Sequence, residues 1–358
     1  MGERPVRVRF APSPTGALHL GGALTAVANR RFADEHGGTL VLRIDDTDAA
    51  RVDPAAEASI LADLAWLGVG WDEGPIRQSE RGERYRAAAG RLLAADAAYL
   101  EDGAVRFRGE RDPTLLRPDG SATYQLASVV DDVELAISHV IRGLDHLPNR
   151  PLHEALARAL GAEPPAYLHH GLILGPDGRK LSKRHGDASV ADLREAGLPA
   201  EAVRAYLDEL GLPQGDVRLD RARFERLAIE AIGALADEEL AGRAGAPVEL
   251  APALRGARTL VEARAMAEGI LVRPAPVAPD ERGALTLRRF VELRDPLPDR
   301  LDRDSAHAVV RELKAVGGDL RALRRALTGA ERGPELWAVV LALPREEALH
   351  RAADALGA

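Results

Sequence analysis

The chain has 358 residues, 46% of them hydrophobic and 29% charged, which excludes a disordered or fibrous protein and suffices for two or three domains of about 150 residues. It contains no cysteine, so disulfides, thiolate zinc sites and cysteine nucleophiles are excluded. The formal charge of −8 argues against indiscriminate nucleic-acid binding, but a nucleic acid held by local arginine patches remains open. The chain lacks a run of about 18 apolar residues and a signal-peptide pattern, which predicts a cytoplasmic protein.

The N-terminal segment predicts a strand, a helix and a second strand. Residues 6–10 alternate as a short strand, and a helix begins near Leu18 and ends at Gly37. Residues 40–44 then predict a buried strand, so two parallel strands joined by a helix are expected. Ligands of such sheets bind beyond the carboxyl ends of the strands, where residues 12–19 form a turn rich in proline and glycine.

Residues 55–98 predict helices with a break at residues 68–75. The segment 103–120 is short and turn-rich, with one strand at residues 105–107.

The following segment, residues 124–141, is apolar and β-branched enough to resume the sheet, and residues 152–160 predict a helix. Beyond Val190 the pattern is helical nearly throughout. The expected fold class is therefore α/β, with a Rossmann-like parallel-sheet domain followed by an all-α C-terminal region.

Lysine is rare in this chain, yet two of its three lysines lie close together. Of 48 basic residues only Lys180, Lys183 and Lys314 are lysines, and the first two flank Leu181 and Ser182. An ammonium is a compact, mobile point charge that can follow a phosphate, whereas a guanidinium is a planar fork. This concentration of lysines indicates phosphate chemistry, although chance in an arginine-rich composition would also produce it.

A second anion-binding feature lies at the start of the first helix, where His19 is followed by Gly21 and Gly22. Unpaired amides at a helix N-terminus carry partial positive charge and attract anions. The two glycines would let a nucleotide approach the backbone closely. The alternative is a helix cap with an incidental histidine, which the lysine pair far downstream makes less attractive.

These two features resemble the ATP-binding motifs of class I aminoacyl-tRNA synthetases, and the chain as a whole resembles the glutamyl-tRNA synthetase family. The resemblance covers most of the chain. Its motifs run in the family's order, at residues 9–16, 43–48, 72–75, 78–81, 129–132, 139–143, 180–186, 327–329 and 333–336.

The resemblance implies a reaction in two steps, with ATP and Mg²⁺ required and no zinc. The α-carboxylate of glutamate attacks the α-phosphate of ATP, and a ribose hydroxyl of the terminal adenosine of tRNA then accepts the acyl group. Neither step needs a protein nucleophile, because positioning and charge stabilisation can supply the catalysis.

The resemblance also implies the nucleotide site. His19, Lys180 and Lys183 would contact the triphosphate as the catalytic residues, and Gly21 and Gly22 would make room for the adenosine. Ser182 would complete the ATP-binding loop by hydrogen bonding within it.

In the glutamate pocket, Arg9 is expected near the substrate carboxylates, because a fork of donors at a strand end suits a carboxylate. By the resemblance, Arg142 would bind the side-chain carboxylate and Asp45 the α-ammonium. The other expected lining residues are Ser13, Tyr124 and Ser128.

The three carboxylates at Asp45, Asp46 and Asp48 would suit a magnesium cluster by chemistry alone. We prefer to assign Asp45 to the substrate and the other two to ordering the loop, so that no metal site is built from protein ligands alone. Alternate carboxylates after a strand are often only a turn and cap signal.

The sequence departs from the family pattern in two places. The insertion between residues 81 and 123 is shorter than in most members of the family, which weakens the expectation that it contacts the tRNA acceptor end. Near the amino-acid pocket, Asp45 replaces a more usual glutamate, Ser128 an asparagine and Leu144 an acidic residue, which weakens the inference of glutamate specificity.

The resulting division has five parts: residues 1–100 and 121–189 as the two halves of the catalytic domain, 101–120 as the shortened insertion, 190–245 as a helical stem-contact region and 246–358 as a helical anticodon-binding region. The expected partners are tRNA(Glu) and L-glutamate, with no membrane or DNA, and the family implies a monomer.

Three alternatives remain open. A shortened paralogue that glutamylates a modified tRNA base would end well before residue 358. A synthetase-derived ligase would pass an activated amino acid to a small molecule or carrier protein. A catalytically inactive relative would serve as an RNA-binding or regulatory module.

Overall fold

The structure, a computed structural model, describes residues 5–48, 51–109, 111–175, 177–179, 181 and 189–358. The chain divides into two compact units, the first formed by Met1–Glu195 and Val203–Arg221 and the second by Ala196–Ala202 and Ala222–Ala358. Among the helices in the described ranges, none has the length and hydropathy needed to cross a membrane.

The first unit alternates strands and helices, as expected for a Rossmann-like domain. Its elements are β1 (Arg7–Phe10), α1 (Leu20–Glu35), β2 (Thr39–Ile44), α2 (Pro54–Trp66), β3 (Glu73–Arg77), α3 (Gly82–Ala94), β4 (Ala98–Glu101), β5 (Ala104–Phe107), β6 (Thr114–Leu116), α4 (Tyr124–Glu134), β7 (His139–Gly143), α5 (Arg150–Ala159), β8 (Ala166–His170), β9 (Ile173–Leu174), α6 (Val190–Glu195) and β10 (Val217–Arg218), with α7 (Ala200–Leu210) spanning the division between the units.

A parallel sheet forms the centre of this unit. β2 pairs in parallel with β1 on one side and β3 on the other. β7 and β8 form a second parallel pair. The two groups meet at β1, because the Ser138 amide just before β7 donates to the Arg7 carbonyl at 2.9 Å. The strands therefore run in the order β3-β2-β1-β7-β8, and the expected strand–helix–strand unit at the N-terminus is confirmed.

The compressed insertion forms a small antiparallel sheet of its own. β5 pairs with both β4 and β6 in this sheet. The strand expected at residues 105–107 is present as part of β5. Val105 and Phe107 are buried and pack in one hydrophobic cluster with residues of α3 and α4, so the insertion is anchored on the catalytic unit.

The expectation that residues 124–141 resume the sheet is wrong for most of this segment. Tyr124–Glu134 is helix α4, and only His139–Gly143 is a strand. Residues 126–132 of the helix are all buried, so it has no exposed polar face and its 3.6-residue period is hidden. Helical spacing matters here, because it places Tyr124, Ser128, Asp131 and Asp132 along one side.

Two strands of the parallel sheet, β3 and β8, were missed because their sequences lack an apolar run. β3 contains Gly74 and Pro75, two residue types that usually interrupt secondary structure, so this segment was interpreted as a break. An edge strand nevertheless tolerates proline. Gly74 has a φ of +103°, and a Cβ there would lie 2.2 Å from the Leu42 carbonyl oxygen, so glycine permits the close pairing with β2. β8 carries His169 and His170 at the other edge of the sheet.

The second unit is helical and has its own core. Its helices are α8 (Arg221–Ala234), α9 (Asp237–Ala244), α10 (Ala251–Leu254), α11 (Leu260–Leu271), α12 (Glu281–Arg294), α13 (Arg303–Ala315), α14 (Leu320–Thr328), α15 (Leu336–Ala342) and α16 (Arg345–Gly357). Leu287, Phe290, Leu313 and Leu323 are fully buried in one continuous hydrophobic cluster. Several helices begin with an aspartate or threonine cap, as at Asp302, whose side chain accepts from the Ser305 amide.

One carboxylate in this unit is unusually well paired. Glu347 on α16 accepts from Arg351 at 2.7 Å and from both the Nε (3.1 Å) and Nη2 of Arg273, which follows α11. The hydrogen bond from Arg273, with help from Arg351, lowers the pKa of Glu347 to about 2. A pKa lowered on folding stabilises the protein above the unfolded value of about 4.3, and this stability is lost as the pH falls toward 2.

We expect Glu347→Gln to destabilise the chain by about 1 kcal/mol at pH 7, since the pair is partly exposed to solvent. The difference in the free energy of unfolding between the variant and the wild type should stay constant down to about pH 5 and shrink between about pH 4 and pH 2. Urea unfolding followed by circular dichroism across this range measures it, with Glu346→Gln, an exposed neighbour, as the control. A difference independent of pH would contradict the assignment.

Candidate active site

A cavity of about 400 Å³ lies where β1, β2, β7 and β8 end. This is the carboxyl edge of the sheet, where ligands of parallel α/β folds bind. Eight residues chosen from the sequence line it together: Arg9, Ser13, His19, Gly21, Gly22, Asp45, Tyr124 and Arg142.

The lysine motif falls largely outside the described residues: Lys180, Ser182 and Lys183 are not among them. Leu181, within the motif, and Ser189, which follows it in the sequence, are described. Leu181 lines the cavity, Ser189 pairs with His19 in an isolated antiparallel bridge, and the Val190 amide donates to the Leu18 carbonyl at 2.8 Å. Ser189 caps α6 in a reciprocal arrangement with Asp192, which fixes the distal flank.

The N-terminus of α1 faces the cavity. His19 is its N-cap, with extended backbone angles and no capping hydrogen bond from its side chain. Gly21 and Gly22 follow in the first turn and line the cavity. A Cβ on Gly21 would meet no atom within 4 Å, so it would project into open space at this point. The first turn therefore presents backbone amides to a ligand without side chains in the way.

Beneath the cavity lies a buried guanidinium. Arg43 of β2 has only 1% of its side chain exposed. It donates to both oxygens of Asp45 (2.6 and 3.1 Å) and to Asp132 Oδ1 at 2.8 Å. Burial lowers the pKa of Arg43, but the charges of Asp45 and Asp132 outweigh it and hold this pKa well above the usual value. Burial also raises the pKa of Asp45, against the opposing effect of Arg43.

α4 supplies the other two carboxylates of this network. Asp131 is fully buried and accepts from Gln78 Nε2 (2.8 Å), Arg81 Nε (2.7 Å) and the Tyr85 hydroxyl (3.0 Å to Oδ2). Its Oδ2 lies 3.7 Å from Arg43 Nε.

Asp132 faces two guanidinium groups. It pairs with Arg9 Nε at 3.3 Å as well as with Arg43. Burial raises the pKa of Asp132, but the charges of Arg9 and Arg43 outweigh it, so the pKa lies below its ordinary value. Arg9 and Arg43 thus pair with Asp45 and Asp132, and Arg81 pairs with Asp131 and with Glu134.

Arg142 differs from these arginines. Among the described residues no carboxylate lies within ion-pair distance of it, and its buried Nη2 has no hydrogen-bond partner. Burial, with Arg9 nearby, lowers the pKa of Arg142. An unpaired cation in a cavity is energetically costly unless an anion from outside completes it.

Tyr124 and Ser128 lie on the same side of α4, but only Tyr124 reaches the cavity. Its hydroxyl lies 3.4 Å from His146 Nδ1. Ser128 is 2% exposed, does not line the cavity, and has a hydroxyl without a hydrogen-bond partner. The structure therefore does not bring Ser128 to the cavity with the other predicted residues.

The cavity also contains residues that the sequence did not single out. The polar ones are Thr25, Asp145, His146 and His170. Asp145 and His146 directly follow the 139–143 motif, which was the available signal. His170 carried no signal, because β8 itself was missed.

Metal ligation has no support in the described part of the chain, where no group of three or more histidine, aspartate or glutamate side chains could hold an ion. Asp46, considered as a metal ligand from the sequence, instead accepts from the amide and hydroxyl of Ser79 at 2.7 and 2.6 Å. We assign no step to a protein-held metal.

Comparison with known proteins identifies the family. The sequence matches the family described as "tRNA synthetases class I (E and Q), catalytic domain" over residues 5–104 and 102–225. The chain belongs to this family of class I tRNA synthetases. The match includes the whole cavity just described.

Similar proteins agree with membership of the class I tRNA synthetases. Glutamate–tRNA ligase 1 of Rubrobacter xylanophilus is 51% identical over 249 residues, which are 63% of this chain and 58% of that protein. Glutamate–tRNA ligase 1 of Acidithiobacillus ferrooxidans is 32% identical over 458 residues, covering 97% of this chain and 98% of the relative. A crystal structure of a glutamate tRNA ligase from Elizabethkingia meningosepticum covers 99% of both chains with a TM-score of 0.80 at 24% identity, which supports the fold.

Coverage differs between these class I synthetase relatives. The chain spans little more than half of some of them, 58% of the Rubrobacter protein and 54% of the Methylacidiphilum infernorum one. The Acidithiobacillus alignment is longer than the 358 residues of this chain, so that relative contains segments without a counterpart here.

We expect Asp131→Asn to destabilise the chain by about 3 kcal/mol, because it removes one of the charges that balance the buried Arg43 and Arg81. Urea unfolding measures the loss. The control is Asp34→Asn, an exposed partner of Arg30 on α1 that should cost less than about 1 kcal/mol. Equal losses in the two variants would contradict the role given to the buried network.

Proposed function

We propose that this protein is a glutamate–tRNA ligase that joins L-glutamate to the 3′-terminal adenosine of tRNA(Glu) through a glutamyl adenylate. The observation that carries the proposal is the single cavity that gathers the nucleotide motif at the start of α1 with the unpaired Arg142. The names of the relatives support the same activity.

The charge distribution favours a dicarboxylic amino acid. Glutamate carries two carboxylates and one ammonium, a net charge of −1. Arg9, Arg43 and Arg81 each have a carboxylate partner, whereas Arg142 has none among the described residues, and its free Nη2 donor suits the side-chain carboxylate. Arg9 and Ser13 line the same cavity, and Asp45, whose oxygens already accept from Arg43, would bind the α-ammonium as well.

The nucleotide would bind at the start of α1. The helix amides and His19 face the triphosphate, and Gly21 and Gly22 leave room for the adenosine. Leu181, which lies between Lys180 and Ser182 in the sequence, lines this cavity, and Ser189 pairs with His19. We assign Lys180, Ser182 and Lys183 to the same nucleotide, because ammonium groups neutralise phosphate charge. Mg²⁺ would arrive bound to the phosphates.

Catalysis would come from positioning. Attack of the glutamate α-carboxylate on the α-phosphate forms the adenylate and releases pyrophosphate. The ribose hydroxyl of the terminal adenosine then attacks the acyl carbon and releases AMP. The chain's part is to hold the reacting oxygen and phosphorus in line and to stabilise charge on the phosphate oxygens.

The helical unit would contact the tRNA, and its cavity of about 750 Å³ suits an unstacked base. Trp337 lines it, with the guanidinium of Arg303 4.9 Å from the ring centroid and the His307 ring stacked at 4.2 Å. Aromatic rings beside cations bind single-stranded bases by stacking and charge. We assign residues 246–358 to the anticodon and residues 190–245 to the tRNA stem, with the chain acting as a cytoplasmic monomer.

Pyrophosphate exchange into ATP, measured for each amino acid with and without total tRNA, tests this function. Exchange with glutamate that requires tRNA supports the proposal. Exchange without tRNA would favour the paralogue that modifies a tRNA base or a ligase for another acceptor, and no exchange under any condition would favour an inactive relative.

We expect Arg142→Gln to raise the KM for glutamate about a hundredfold, since two charge-assisted hydrogen bonds are lost, and to leave the KM for ATP unchanged. Arg142→Lys keeps the positive charge but loses the planar pair of donors. Its KM for glutamate should lie between those of the wild type and Arg142→Gln. Arg150→Gln is the control, because Arg150 also contacts Tyr167 but does not line the cavity. A parallel rise in the KM for ATP would contradict the assignment.

For the helical unit, we expect Trp337→Leu to raise the KM for tRNA about tenfold through the loss of base stacking, while tRNA-saturated exchange with glutamate is unchanged. Arg289→Ala, an exposed arginine of α12 paired with Glu292, serves as the control. A thermal melt of each variant verifies folding. An unchanged KM for tRNA in a folded Trp337→Leu protein would remove this cavity from the proposal.

A further inference from the structure

Arg142 has a neighbour on the adjacent strand that the proposed reaction does not use. In the parallel pairing of β7 with β8, Arg142 stands directly opposite His169. His169 does not line the cavity, so it has no direct path to a ligand there. It does reach the back of the guanidinium, where Arg142 Nε donates to His169 Nε2 at 3.3 Å.

The ring of Tyr167 restrains the same guanidinium from another direction. Tyr167 lies two residues before His169 and therefore on the same face of β8. The Arg142 guanidinium carbon is 5.2 Å from the Tyr167 ring centroid, within cation–π range. The rings of Tyr167 and His169 are nearly parallel, at 12° and 6.1 Å between centroids. Tyr167 thus covers one face of the Arg142 guanidinium, and His169, from the same strand, binds its Nε end.

Only the outer part of the fork then remains for a ligand. Nε is bound to His169, whereas the buried Nη2 has no partner. A carboxylate binds two donors of a guanidinium in one plane, so a fork whose plane and direction are already fixed is ready to bind it. A flexible arginine side chain would lose conformational entropy on binding that the restrained one has already lost.

His169 can accept this hydrogen bond only in its neutral form, with the proton on Nδ1. Burial, together with the charges of Arg142 and Arg150, lowers the pKa of His169 to about 4. The imidazole is therefore neutral at pH 7, and Nε2 keeps the lone pair that Arg142 needs.

We propose that His169 is a positioning residue that aims the Arg142 fork into the cavity and thereby sets the preference for a side-chain carboxylate over a side-chain amide. The inference rests on the proposed function, since it concerns the same amino-acid pocket. Glutamate and glutamine have nearly the same shape, so selection between them depends on the placement of charge and donors, and a correctly oriented fork supplies both.

The test compares His169→Phe with His169→Gln in tRNA-saturated pyrophosphate exchange. Phenylalanine keeps a flat ring but has no acceptor, whereas glutamine can place an amide oxygen where Nε2 lies. We expect His169→Phe to raise the KM for glutamate about tenfold, to lower the ratio of kcat/KM for glutamate over glutamine by a similar factor and to leave the KM for ATP unchanged. His169→Gln should recover most of the loss.

The control is His36→Phe, which changes an exposed histidine at the end of α1, and thermal melts verify that each variant is folded. An unchanged KM for glutamate in folded His169→Phe, or an equal loss in the Phe and Gln variants, would overturn the inference. A parallel rise in the KM for ATP would also overturn it, because it would indicate a general distortion. Absence of glutamate exchange in the wild type would instead reject the proposed function, so the two failures are distinguishable.

Discussion

The catalytic unit depends on the ion pairs that the buried guanidinium of Arg43 makes with carboxylates. A cation that is 1% exposed is tolerated only when anions surround it, and Asp45, Asp131 and Asp132 supply them from β2 and α4. Removing one partner of such a group costs about 3–5 kcal/mol, because the remaining charge stays buried. The network therefore fixes α4 against the sheet, and with it the position of Tyr124, the residue of α4 that lines the cavity.

The same network makes Arg142 distinctive. Because the neighbouring arginines already have their carboxylates, the cavity keeps a single cation among its described residues whose anion is missing. In the proposed function, a substrate carboxylate would complete this pattern. The proposed nucleotide site would work differently, through the amides at the start of α1 and residues without large side chains. Because both sets of residues line one cavity, a carboxylate and a phosphate would react there without a protein nucleophile.

Sequence reasoning anticipated several cavity-lining residues better than it anticipated the elements that carry them. The strand–helix–strand unit at the N-terminus was predictable because its strands are short and apolar and its helix is bounded by glycines. α4 was not, since a helix buried on all sides has no polar face to reveal its period. β8 was missed because an edge strand with two histidines shows neither alternation nor an apolar run. Tyr124 and Arg142 were nevertheless chosen correctly as cavity residues, through motif order alone.

By itself the sequence determined the family, the α/β class, the helical C-terminal half and eight of the residues that line the cavity, because these follow from local patterns and from the order of motifs. Only the tertiary structure decided which charges neutralise one another. In the structure, Asp45, Asp131 and Asp132 pair with arginines of the core, and Arg142 has no carboxylate partner among the described residues. Ser128 does not line the cavity, and His169 contacts the guanidinium of Arg142 from the side away from the cavity. Charge pairing depends on distance and burial between residues far apart in the chain, and neither quantity can be read from sequence spacing.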